Sequence, residues 1–264
     1  MVRTRSPQFD DAHARRWQDP AAAADYRHRD GYLAEAFDLL RQFASVERPV
    51  VLDLGCGTGN LARGIAPWAA RVDAVDLSAE MIAEGRRLSG GDAVNIRWQH
   101  APAETCTLDG PYDLVAAGAS MHWMDYEVVL PRLAGVLRPG GFLAVVSSWQ
   151  RDTYAWDAEE KAIIARHTTA PDVVPFEMIP VWEAAGLFRQ AGEFTTTPVE
   201  VAKSVADYVA GWHANSHLTR AHIDSEAFDR DLLAVLAVYC PDGVVRRNVV
   251  THVLWGSPLS RPNP

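Results

Sequence analysis

The run Val50-Val-Leu-Asp-Leu-Gly-Cys-Gly-Thr-Gly-Asn60 constrains this chain more than any other stretch. An apolar-leaning segment ends in Asp53, glycines follow at 55, 57 and 59, and Leu61 to Trp68 has the composition of a helix start. A buried strand should therefore feed a helix through a tight loop. Glycine admits positive φ and leaves no Cβ between the main chain and whatever approaches it, so the loop's amides are expected to be free for a ligand. That is the outline of a nucleotide-cofactor cradle.

Electrostatics separates the cofactors that use such a loop. A dinucleotide rests its pyrophosphate on a helix N-terminus and is matched by G-x-G-x-x-G. Here the spacing is G-x-G-x-G, and Asn60 fills the slot of the third glycine. Asp53, two residues before the loop, would repel a pyrophosphate but attract the ammonium and sulfonium end of S-adenosyl-L-methionine.

Val51-Leu-Asp-Leu-Gly-Cys-Gly-Thr-Gly59 is similar to motif I of the class I S-adenosylmethionine-dependent methyltransferases. Three more segments match that family in order: Val75-Asp-Leu-Ser78, Tyr112-Asp-Leu-Val115 and Leu137-Arg-Pro-Gly-Gly141. The resemblance assigns Asp53, Gly55, Cys56, Gly57 and Asn60 to the cofactor.

At the N-terminus, residues 1–19 read as a loose arm, Asp19-Pro20 as a helix start, and Tyr32 to Phe43 as an amphipathic helix. Ala24-Asp-Tyr-Arg-His-Arg-Asp-Gly-Tyr32 resembles the segment that lids the cofactor in relatives of trans-aconitate methyltransferase. By that likeness Tyr26 closes over the cofactor and Tyr32 over the acceptor; amphipathic packing on the sheet rim is the other reading.

Arg71 to Asp76 reads as the second strand, with Ser78 as the cap of the next helix. A carboxylate at this strand end suits two ribose hydroxyls, so Asp76 is a cofactor residue. Leu77 and Met81 either flank the adenine or pack as ordinary helix residues. Val94 to Gln99 reads as the third strand, and in the family the loop after it meets the adenine, which implicates Ala103 and Glu104.

Tyr112 to Ala117 reads as the fourth strand and runs into Gly118-Ala-Ser-Met-His-Trp-Met-Asp125. Ligands of open α/β sheets sit beyond the carboxyl ends of strands, at the switch point of strand order. The main chain of Ala117 and Gly118 should face the cofactor, and His122 and Trp123 the acceptor. His122 is the candidate catalytic residue, as a proton acceptor or as a hydrogen-bonding group.

Tyr126 to Leu137 reads as a helix, residues 137–141 as a turn and Phe142 to Ser148 as the fifth strand. Beyond it, helices are expected over 157–167, 182–187, 204–218 and 226–239, with residues 171–180 a proline-punctuated loop. One strand over 188–201 should lie antiparallel to another over 244–255. In the same relatives a Tyr-x-x-x-Trp-Ser helix covers the substrate; Tyr208 and Trp212 keep that spacing with His213 in place of serine, which makes Trp212 and His213 candidate substrate residues. His213 and His217 have the spacing of a zinc pair, but no third ligand is evident and no metal is expected.

The formal charge of -9, with no cluster of Lys and Arg, argues against a nucleic-acid partner. Cys56, Cys106 and Cys240 are too few and too widely spaced for a disulfide framework. No apolar run is long enough to span a bilayer, and a cytoplasmic location is expected.

The expected fold is α/β: a Rossmann-like, seven-stranded, mainly parallel sheet with helices on both faces and a helical cap. Residues 1–45 would be the arm and lid helices, 46–149 the cofactor-binding core, and 150–264 the cap with the strands that complete the sheet. The expected activity is methyl transfer from S-adenosyl-L-methionine to a small-molecule carboxylate, hydroxyl or amine. For a carboxylate, Arg27 or Arg29 could hold the acceptor. A cyclase or binding module that uses the cofactor without methyl transfer would share the same loop.

Overall fold

The computed structural model describes residues 11–44, 46–170 and 177–260. Expectations for residues 1–10, for 171–176 of the proline-punctuated loop and for 261–264 of the tail lie outside them.

An eight-stranded sheet organises the molecule. Its strands are β1 (Val50–Leu54), β2 (Arg71–Asp76), β3 (Ile96–His100), β4 (Tyr112–Gly118), β5 (Leu137–Gln150), β6 (Phe188–Thr195), β7 (Val199–Ser204) and β8 (Val244–Pro258). The order is β3-β2-β1-β4-β5-β8-β6, with β7 also on β8. The first five strands pair in parallel, and β8 runs antiparallel to β5, β6 and β7. Order reverses between β1 and β4, so their carboxyl ends open a crevice at Asp53 and Gly118.

The segment expected as one strand over 188–201 is two strands, which is why the sheet has eight. Pro198 has no N–H for a ladder, and Thr196 turns back to pair with Thr251 through both its amide and its hydroxyl, at 2.9 and 3.0 Å. The two pieces then share one edge of β8 end to end. Likewise, the Arg138-Pro-Gly-Gly141 turn is absorbed into β5 as an irregularity: Tyr112 pairs with Leu137 but Leu114 already pairs with Phe142.

Alternation along β1 shows why helices cover both faces. Val51 joins a core with Leu40 of α3 (Ala34–Gln42) and Ile65 of α4 (Asn60–Ile65). Leu52 joins the opposite core with Leu130 of α6 (Tyr126–Ala134) and Trp182 of α8 (Met178–Ala184). Fully buried parallel strands are apolar on both faces, as this one is. Between β2 and β3 lies α5 (Ala79–Arg87), capped by Ser78 as expected: its Oγ accepts the Met81 amide at 3.1 Å.

A third core joins α7 (Asp157–His167), α9 (Val205–Trp212) and α10 (Ser225–Tyr239) around Phe228, Leu232 and Tyr208. The described part of the arm is ordered, contrary to expectation: α1 (Asp11–Arg15) is followed by a 3-10 turn over Arg16–Gln18 and then by α2 (Pro20–Asp25). Asp19 caps α2 by accepting the Ala21 amide at 2.9 Å. Asp30 ties the segment down with Lys203 at 2.7 Å and Arg247 at 2.9 Å, and Arg220 reaches Asp25 at 2.9 Å. Among the described residues no helix is long and apolar enough to cross a membrane.

Candidate active site

The glycine loop is held by the ends of β1 and β2, and its amides are spent on that anchoring. Gly55 and Cys56 donate to the Val75 carbonyl at 2.8 and 2.9 Å, Gly59 donates to Cys56 at 2.8 Å, and Gly57 donates to Asp76 Oδ2 at 2.7 Å. The expectation of free loop amides is therefore corrected. What the loop offers instead is open space beside two carboxylates, which suits a cationic ligand better than a pyrophosphate. At Gly55, φ is +69° and an added Cβ would lie 2.5 Å from the Ser120 Cβ, so only glycine lets the ends of β1 and β4 close together. Ser120 Oγ completes that junction by donating to the Leu54 carbonyl at 2.7 Å. Next to it Ala119 sits at φ 49°, a left-handed conformation uncommon outside glycine, and lines the cleft.

Two carboxylates lie beside the loop, Asp53 and Asp76. Asp53 is 1% exposed; its Oδ2 accepts the Ala62 amide at 2.8 Å, while its Oδ1 is buried without a hydrogen-bond partner. Burial, with the nearby Asp76 charge adding to it, pushes its carboxyl up to about 7. An orphaned buried acceptor calls for a donor, and an ammonium supplies one. Asp76 accepts one amide per oxygen, from Gly57 and from Ser78 at 2.7 and 2.8 Å, which leaves each oxygen a further lone pair for a hydroxyl. Burial raises its carboxyl too.

A cleft of about 420 Å³ runs from Asp76 over the loop to the start of the cap. Its walls include Gly55, Gly57, Leu77, Met81, Ala103, Glu104 and Gly118, the residues that the sequence suggests for the cofactor. Leu77 presents its carbonyl to His100 Nε2 at 2.9 Å, and Glu104 Oε1 accepts the Asp125 amide at 2.8 Å. A small recess adjoins the cleft and is lined by Tyr26, Tyr32, Asp53, Cys56 and Asn60. Asn60 Oδ1 accepts from Arg63 there at 2.7 Å, and burial raises the Cys56 thiol.

Four expected residues fall elsewhere. Ala117 is fully buried in the core between sheet and α6, because alternation along β4 turns it away from the cleft. Tyr32 lies in the recess with Asp53, its hydroxyl 2.5 Å from where a Gly118 Cβ would be, so it faces the inner end and not the acceptor end. Trp212 packs in the cap core, where its Nε1 donates to Glu160 Oε1 at 3.2 Å beside Tyr208 Oη at 2.6 Å. His213 is 0% exposed, with Nδ1 2.7 Å from the Leu218 carbonyl and Nε2 2.7 Å from Asp229. A helix of only eight residues aims both side chains into the cap instead of over the cleft. Among the described residues no group of three or more His, Cys, Asp or Glu could hold a metal.

His122 and Trp123 sit on a 3-10 turn after β4 and line the cleft, their ring centroids 5.2 Å apart. Burial, and secondarily the Arg29 charge, hold the imidazole neutral by pushing it down to about 4. Opposite them are residues that the sequence did not single out. Trp17 lines the cleft, its carbonyl held by Ser78 Oγ at 2.7 Å, and its ring meets Tyr26 at 5.8 Å and Trp123 at 6.3 Å, both edge to face. Asn215 and Ser216, just after α9, form the far wall with Arg29. The one available signal was a tryptophan two residues before Asp19 of the Asp19-Pro20 helix start.

Comparison with known proteins agrees with this geometry. The family model described as Methyltransferase domain matches residues 51–141. A trans-aconitate 2-methyltransferase of Azoarcus sp. (strain BH72) is 39% identical over 113 residues, covering 42% of this chain and 43% of that protein. One from Streptomyces avermitilis is 37% identical over 125 residues, covering 45% and 46%. The chain thus spans under half the length of these two curated relatives. A solved structure described as a type II methyltransferase from Anaeromyxobacter dehalogenans shares the fold, with TM-score 0.59 and 22% identity over 89% of this chain and 99% of that one. Residues 51–141 thus match a methyltransferase domain, and the chain is similar over that stretch to S-adenosylmethionine-dependent methyltransferases.

Proposed function

We propose that the protein transfers a methyl group from S-adenosyl-L-methionine to a small-molecule acceptor, and that the acceptor atom is a carboxylate oxygen. The observation that carries this reading is one continuous cleft lined both by Asp76 and by Arg29 with a neutral His122. Asp53, with its orphaned oxygen, would hold the cofactor's ammonium, and Asp76 its ribose hydroxyls. When bound, that cofactor supplies a methyl group already activated by its sulfonium.

The chain's own task is then to align the acceptor and exclude water, which can be worth roughly 7–11 kcal/mol when the geometry is right. Trp17, Tyr26 and Trp123 close the cleft from above with apolar surface. Arg29 donates Nη1 to the Ala214 carbonyl at 3.0 Å and stands over the Tyr26 ring at 5.3 Å, so its guanidinium is held in place on the cleft wall. A carboxylate is already ionised at neutral pH and needs no base. An imidazole held down at about 4 is a weak proton acceptor, so His122 serves as a hydrogen-bonding group to the acceptor. The trans-aconitate relatives support an acid acceptor as well.

The test is turnover with methyl-labelled cofactor and a panel of carboxylic acids (trans-aconitate among them), phenols, alcohols and amines. S-adenosylhomocysteine should appear in step with labelled product from an acid. Binding of the cofactor with no product from any acceptor would leave a cofactor-binding module instead.

A further inference from the structure

The described residues that line the cleft include one cation, two carboxylates and four ring side chains. Among the described residues that line it, Arg29 is the only Lys or Arg, while Asp76 and Glu104 are carboxylates. A second or third acidic group on the acceptor would find no second Lys or Arg among the described lining residues to pair with, and unpaired charge in a closed cleft is costly. Around Arg29 the walls are ring systems: Trp17, Tyr26, Trp123 and His122. The Trp17 contacts with Tyr26 and Trp123 are perpendicular, with interplanar angles of 86° in both cases, and His122 lies at 47° to Trp123. A ring bound in the cleft would meet these walls at the centroid separations of about 4.5–7 Å that aromatic pairs favour.

We propose that the acceptor half of the cleft takes an acid with a single carboxylate and an aromatic ring, with Arg29 holding the carboxylate and Trp17 selecting the ring. The proposal rests on the methyl-transfer reading of the cleft and narrows its acceptor. Trp17 can discriminate because it is fixed before the acceptor arrives: Ser78 Oγ holds its carbonyl at 2.7 Å, and the capped start of α2 follows two residues later. Arg29 can bind because Nη1 alone is committed, to Ala214, while Nε and Nη2 make no hydrogen bond among the described residues. Asn215 and Ser216 close the far wall with small polar groups, which sets an outer limit to the ring's substituents.

The experiment is calorimetric titration of benzoate, trans-cinnamate, succinate and citrate into the full chain loaded with S-adenosylhomocysteine, for the wild type, Trp17→Ala, Trp17→Phe and Arg29→Met. The two aromatic acids should bind at least about tenfold more tightly than succinate or citrate. Trp17→Ala should weaken the aromatic acids about three- to tenfold and leave S-adenosylhomocysteine within about twofold, while Trp17→Phe restores most of the loss. Arg29→Met should cost every acid about tenfold or more. Tighter binding of citrate, equal losses for aromatic and aliphatic acids in Trp17→Ala, no rescue by phenylalanine, or no binding of any acid would each overturn the proposal. Loss of S-adenosylhomocysteine affinity in Trp17→Ala would also overturn it, by moving Trp17 to the cofactor. Failure of S-adenosylhomocysteine to bind the wild type would instead sink the methyl-transfer reading; the same ranking of acids, measured on the unloaded chain, would then decide this one.

Discussion

The two ends of the cleft are built differently. The cofactor end is made within one strand-loop-helix unit plus the next strand end: Asp53 and Asp76 are fixed by amides of Ala62, Gly57 and Ser78 at 2.7 to 2.8 Å. The proposed acceptor end is assembled from segments far apart in sequence, Trp17 and Arg29 from the N-terminus, His122 and Trp123 after β4, and Asn215 and Ser216 from the cap. A site made of main chain and two short side chains tolerates little change in sequence. One made of long side chains from three segments can be altered a residue at a time, so the first end reports the family and the second the acceptor.

The largest effect expected from breaking that contrast is at Asp76. Asp76→Ala removes a carboxylate that orders both the Gly57 and Ser78 amides, and S-adenosylhomocysteine affinity should fall by about two orders of magnitude or more in calorimetry. Unchanged affinity would remove the ribose from this position.

Next comes His213, placed in the cap and not in the site. His213→Ala should cost about 1–3 kcal/mol of stability by leaving Asp229 and the Leu218 carbonyl short of a partner. The melting temperature should drop by several degrees while KM for the acceptor stays put; a raised KM with unchanged stability would return His213 to the substrate.

Asp53 predicts a pH dependence with a definite sign. With no ligand, the folded chain holds this proton up to about 7, whereas an unfolded chain releases it near about 4. The stability due to that proton is therefore present at low pH and is lost as pH rises from about 4 to about 7. A bound ammonium favours the ionised form, so the rise in melting temperature on adding S-adenosylhomocysteine should be larger at about pH 8 than at about pH 6. Asp53→Asn should flatten the difference; a wild-type gain independent of pH would contradict it.

The smallest effect belongs to His122. For a carboxylate acceptor His122→Ala should lower kcat less than about tenfold, below the roughly 10²–10⁴-fold range of a general base. A loss within that range would make it a proton acceptor and point to a hydroxyl or amine.

What could be read from the sequence follows the same division. Val50 to Asn60 and Arg71 to Ser78 were legible because glycine spacing, a strand-end acid and a helix cap are local. The break at Thr196 to Pro198 was not, since it depends on Thr251 of a strand far along the chain. Strand alternation turns the Ala117 side chain into the core, and the expectation for that position concerns its main chain. Trp212 and His213 were drawn to the substrate by a spacing shared with relatives, whereas Glu160 and Asp229, distant in sequence, draw them into the cap. Trp17 was lost in an arm read as loose because the contact that fixes it, Ser78 to its carbonyl, spans 61 residues.

The most direct test of the central claim follows the methyl group itself. Product formed from methyl-labelled S-adenosylmethionine and an acid-bearing acceptor is treated with mild base, and volatile label is collected. Carboxylate methylation predicts that nearly all the label leaves as methanol, released by hydrolysis of a methyl ester. Label that stays on the product would mean an ether, amine or carbon acceptor, and would contradict both Arg29 as the carboxylate's anchor and His122 as a hydrogen-bonding group without proton transfer.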